Sequence, residues 1–185
     1  HNFRIDMMRR DSTTGDCSVA TDYTIADIKA WLTRDGADPN GALPAVQTAS
    51  ETETLPAAEP GAVNLTLPFV AGTANFTLNT SDVGKYVVNF KDDTFAFSDQ
   101  NITGSTNTLI TRPFGFDIGV VGNPAATDEN GAAFTTAGTN FTVNARAVAW
   151  AVTDDADDNG IPDGHDDTNP ANNANLTDNA TLASF

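Results

Sequence analysis

The chain has 185 residues and carries 9 basic against 25 acidic side chains, a net charge of −16. That length suits one domain with a good core or two small ones, and the acidic surface repels phosphate backbones and anionic membranes, which argues against nucleic acid as a partner. No apolar run reaches the ~20 residues of a membrane-spanning helix, and Cys17, the lone cysteine, permits no internal disulfide, leaving a buried thiol or half of a bridge to a partner outside the segment.

Short alternating apolar runs between turn residues dominate, the pattern of an all-β sandwich. Ile25, Ile28 and Leu32 have helical spacing, yet Ile28, Ala30 and Leu32 also alternate with Lys29, Trp31 and Thr33. A strand is predicted there, ended by the turn Arg34-Asp35-Gly36. Asp38-Pro39-Asn40-Gly41 reads as a turn and residues 46–62 as a polar loop. Further strands are predicted at Val63–Leu67, Phe76–Leu78, Tyr86–Phe90, Phe95–Phe97 and Thr108–Ile110, with turns at Gly72-Thr73 and Glu129-Asn130-Gly131. Asp82-Val83-Gly84-Lys85-Tyr86 enters a strand in the manner of an immunoglobulin-like tyrosine corner, whose hydroxyl bonds to nearby backbone.

A second start follows at Arg112-Pro113-Phe114, with strands predicted over Phe114–Val120 and Phe141–Trp150. The chain is therefore expected to hold tandem immunoglobulin-like β-sandwiches, residues 1–111 and 112–185. The two share the acidity: 7 basic against 14 acidic residues in the first, 2 against 11 in the second. The second is shorter than the roughly 100 residues such a fold takes. It is expected to be incomplete, completed by strands from another chain or from the rest of its parent chain.

The densest chemistry lies at residues 154–167, where seven Asp occupy fourteen positions with no Lys or Arg. From Asp155 to Asp166 the stretch reads D-x-D-x-N-G-x-x-D-x-x-D, the spacing of an oxygen-ligand calcium loop. Side-chain oxygens are expected from Asp155, Asp157 and Asn159, the sharp turn at Gly160, a carbonyl from Ile161, and closing ligands from Asp163 and Asp166. Asp166 replaces the bidentate Glu of intracellular sensors, and Pro162 and Pro170 preclude a long exiting helix. The run resembles the Asp-rich calcium repeats of thrombospondin type 3 and similar bacterial extracellular linkers. Calcium is the expected cofactor.

Taken together, Arg9-Arg10-Asp11, Cys17, Ile28 to Asp35, Asp82 to Tyr86, Arg112-Pro113-Phe114 and Ala137 to Ala147 resemble the large uncharacterised region of MshQ-like proteins. Those proteins are associated with the mannose-sensitive haemagglutinin type IV pilus system of Gram-negative bacteria. The resemblance implies a secreted or cell-surface protein of structural or adhesive type, whose partners are other chains of a surface assembly. It implies no catalytic residues.

Other chemistry finds little support. A copper brace at His1 has only His165 as a second imidazole. No nucleophile elbow or phosphate-binding loop occurs, and Asp92-Asp93 reads as a turn rather than a glycosidase pair; the chain is not expected to be an enzyme. Trp31, Trp150 and Tyr23 read as core or partner-facing aromatics, though stacking on sugars would make the chain a carbohydrate-binding module accessory to a secreted enzyme. Asn64, Asn75, Asn79, Asn101, Asn140, Asn175 and Asn179 begin N-x-[ST] triplets that must face solvent if they are glycosylated.

Overall fold

Alternation of apolar and polar side chains decides the architecture seen in a computed structural model, which describes residues 1–36, 41–94, 101–124, 130–164 and 174–183. The described residues are all-β, with a single 3-10 turn at Val152–Asp154. The chain divides into two units, His1–Arg112 and Pro113–Ala183.

In the first unit the strands are β1 (Asn2–Asp6), β2 (Met8–Arg10), β3 (Cys17–Val19), β4 (Asp27–Arg34), β5 (Ala45–Gln47), β6 (Thr52–Thr54), β7 (Leu65–Thr66), β8 (Thr73–Asn79), β9 (Gly84–Asp92), β10 (Ile102–Ser105) and β11 (Leu109–Thr111). One sheet runs β1-β8-β5-β6 and the other β10-β9-β4-β7, with β11 also paired to β9 and β2-β3 forming a separate hairpin. Every second residue of β4, β8 and β9 points inward: Ile28, Ala30 and Leu32; Ala74, Phe76 and Leu78; Tyr86, Val88 and Phe90. Removing these side chains from water, at roughly 25 cal/mol per Å² of apolar surface, is what holds the two sheets together.

Several expectations change. Residues 46–62 are not one loop: Val46 and Leu55 are fully buried, and β5 and β6 pair across a turn closed by Thr48 N–H donating to the Glu51 carbonyl at 2.8 Å. Their strands are three residues long, too short for the alternation to register in a polar sequence. Cys17 is exposed, not a buried thiol. The Tyr86 hydroxyl lies 3.2 Å from Thr111 Oγ1 rather than bonding backbone, because β11 runs beside β9 at this point. Asp92 is not a turn residue but the buried end of β9, and Asp93 pairs with Lys29 at 2.5 Å. The Asn64 amide is clamped to both backbone groups of Ala30, at 2.9 and 3.0 Å, and Asn179 is buried; neither is a free glycosylation acceptor. Phe95–Phe97, Asp38–Asn40 and Glu129 lie outside the described residues.

Tyr23 links the core to chemistry. Its hydroxyl donates to Asp92 Oδ2 at 2.7 Å, and its ring packs edge-on against Phe69. Burial first, and then the Asp92 carboxylate, push its pKa far above the ordinary 10.0. A raised folded pKa leaves that stabilisation whole below pH ~10 and removes it as pH climbs further. Tyr23→Phe, which leaves a buried carboxylate short of a donor, is expected to cost about 1–2 kcal/mol in chemical denaturation and to soften the alkaline loss.

The second unit holds β12 (Gly115–Val120) and β13 (Val143–Val148), antiparallel in the register Gly115↔Val148 to Val120↔Val143. Its described residues form this one two-stranded sheet, not a closed sandwich. A hairpin alone is marginal in water, and the buried apolar cluster here is small: Phe114, Val148 and Leu176, with Ala174 against them.

Candidate metal centre

The acidic loop leaves β13 through Ala149 and Trp150 and is pinned where it departs. Ala149 N–H donates to the Ala180 carbonyl at 2.8 Å, and Val148 bridges to Thr181. Farther on, Pro162 and Leu176 close over Gly115, where an added Cβ would lie 3.2 Å from Pro162 Cγ and 2.9 Å from Leu176 Cδ1. A bare backbone at Gly115 therefore lets the loop and the C-terminal segment sit on the hairpin.

Within the loop, Asp155 is the anchor. It is 1% exposed; its Oδ1 accepts the Asn159 N–H at 3.0 Å, and its Oδ2 accepts the Gly160 N–H at 2.9 Å and the Trp150 indole N–H at 2.6 Å. Burial pushes this carboxyl up, but the donors from Trp150, Gly160 and Asn159 outweigh it and hold the pKa below the usual carboxylate value. Gly160 takes the turn with φ +77° and Asp158 precedes it at φ +56°, a left-handed pair that folds the chain back over Asp155.

The fold gathers Asp155, Asp157 and Asp163, each offering one oxygen, and these oxygens lie within 4.8 Å of one another. Two ligands on one calcium ion at 2.3–2.6 Å stand at most about 5 Å apart, so the spacing fits a hard cation. These three donors are carboxylates, hard oxygen ligands that suit calcium or magnesium rather than a soft metal. The three Asp can thus hold a metal ion. Asp157 is exposed; it accepts from Asn159, through its N–H at 3.2 Å and its Nδ2 at 2.9 Å, and its carboxyl also meets that of Asp155. Asn159 Oδ1 accepts the Ile161 N–H at 2.7 Å, so Asn159 and Ile161 shape the loop beside the three carboxylates. Asp166, His165 and Asp167 lie outside the described residues.

Three participants were not assigned from the sequence. Trp150 anchors Asp155 by its indole N–H and remains 49% exposed. Asp154 is buried; its carbonyl accepts the Asp163 N–H at 2.8 Å, its Oδ1 accepts the Asn175 N–H at 2.7 Å, and its Oδ2 has no hydrogen-bond partner among the described residues. Arg146 ties the C-terminal segment to the hairpin. Its Nε donates to Asp117 at 2.8 Å, and its two terminal nitrogens reach Thr181 Oγ1 at 2.9 Å and the carbonyls of Asn179, Leu176 and Thr177. Asp154, inside the acidic stretch, and Trp150, five residues before Asp155, lay close enough in sequence to be suspected; Arg146 did not.

No curated protein and no solved structure matches this chain. Two family models do: residues 1–108 match the first Ig-like domain of a family described as a domain of unknown function, DUF6701, and residues 112–184 match the second domain of DUF6701. Spanning both in order over nearly its whole length, the chain belongs to the DUF6701 family.

Proposed function

We propose that this chain is a structural or adhesive segment of an extracellular bacterial surface or pilus-associated protein, and that calcium braces its second unit. The observation that carries the reading is the convergence of Asp155, Asp157 and Asp163 on one point of a loop closed by Gly160. A unit with so small a buried cluster gains most from an ion that crosslinks its loop. Extracellular modules bind calcium at about 10⁻⁴–10⁻³ M, a range that millimolar external calcium fills. The resemblance to MshQ-like proteins supports the surface setting. The carbohydrate-module reading draws less support: Tyr23 is buried, and Trp150, though half exposed, commits its indole N–H to Asp155.

Trp150 supplies the reporter. In a Trp31→Phe background its fluorescence is expected to change saturably with calcium, and Asp157→Ala is expected to abolish the change. A flat titration, with no heat of binding by calorimetry, would reduce the loop to a solvated acidic turn.

A further inference from the structure

Among the described residues, the first unit has an open side with a built interior. β1 ends one sheet and β10 ends the other, and both strands border a cleft of about 370 Å³, within the roughly 300–1,000 Å³ of ligand sites. Its walls include Phe3, Ile5, Phe76, Phe90 and Ile102. Phe3 stacks on Phe76 at 5.3 Å, and Phe76 meets Phe90 at 5.5 Å, a continuous aromatic floor. Phe3, Ile5 and Ile102 are only partly buried, so apolar surface at the mouth meets water.

The backbone of β1 complements that cleft. The His1 carbonyl accepts from Leu78 N–H and Met7 N–H donates to the Gly72 carbonyl, both at 2.8 Å, so the odd-numbered residues face β8. The N–H and C=O groups of Asn2, Arg4 and Asp6 therefore point away from β8, and among the described residues no strand pairs with them. Free edge groups beside an apolar slot are what strand addition uses: main-chain bonds for affinity, pockets for alternate side chains for specificity.

We propose that this cleft receives an extended segment of a partner protein, added as a strand along β1 with every second, apolar side chain inserted between the sheets. The segment carries Lys or Arg outside its apolar positions, because the unit as a whole is acidic, with 14 acidic against 7 basic side chains over residues 1–111, although the cleft's own border is balanced, Arg4 and Lys91 against Asp6 and Asp92. A second copy of this chain is not the occupant. Pairing β1 with its counterpart would keep each Phe3 and Ile5 over its own cleft and leave both clefts unfilled. The Arg4–Asp6 pair, 2.8 Å apart on the exposed face of β1, is a charged guard of the kind that discourages indiscriminate edge pairing. This interaction does not depend on calcium.

The test uses the full chain and a short synthetic peptide alternating valine and threonine between terminal lysines. Saturable binding with slowed amide exchange at Asn2, Arg4 and Asp6 is the expected result. A peptide of the same composition with its valines in one block is expected to bind at least about tenfold more weakly. Arg4→Pro removes an edge donor, and Ile102→Trp fills the cleft while sparing the edge; both are expected to weaken binding, with melting checked for each. No saturable binding, or binding that survives both variants, overturns the proposal. So does a concentration-dependent dimer that protects the same amides without peptide.

Discussion

Calcium at millimolar concentration is expected to raise the melting temperature of the second unit, and a chelator to lower it, with the first unit nearly unmoved. A site filled at tenfold excess over its Kd contributes about 1.4 kcal/mol, on a unit whose buried apolar cluster is Phe114, Val148 and Leu176. Two variants separate the ion from the loop. Asp157 is exposed and its hydrogen bonds run to its loop neighbours Asn159 and Asp155, so Asp157→Ala is expected to abolish the calcium response while lowering the metal-free melting temperature little. Asp155→Ala removes a ligand and also takes away the acceptor that the Asn159 and Gly160 N–H groups and the Trp150 indole share. It is expected to unfold residues 150–164 with or without calcium, seen as loss of amide protection. Scanning calorimetry that gives coincident traces in chelator and in calcium would remove the metal from this account.

Arg146→Ala is expected to destabilise the second unit by about 2–4 kcal/mol, since it strips charge-assisted hydrogen bonds and leaves Asp117 without its partner. The magnitude follows from how much one side chain holds. The guanidinium spans from Asp117 on β12 to the carbonyls of Leu176, Thr177 and Asn179, fastening the segment that carries Leu176 into the cluster. Arg146→Lys keeps the charge but not the planar fork, and is expected to recover only part of the loss. Chemical denaturation and amide exchange across residues 174–182 measure both. Wild-type protection in Arg146→Ala would mean that the segment docks by packing alone.

Local pattern determined much of this protein without any structure. Period-two alternation located β4, β8, β9, β12 and β13, because a strand half buried in a sandwich must place every second side chain inward. The spacing of Asp155, Asp157, Gly160 and Asp163 located the acidic loop, because its geometry is set by neighbours within a dozen residues. Tertiary structure alone decided the rest. The β5–β6 hairpin hid in a polar stretch because only Val46 and Leu55, buried through contacts far away in sequence, mark it. Asp92 read as a turn until Tyr23, 69 residues earlier, gave it a buried partner. Arg146 lies within a predicted strand, yet its partners lie 29 to 35 residues away. Short-range periodicity carries no record of such pairings; they exist only once the sheets and the C-terminal segment have folded together.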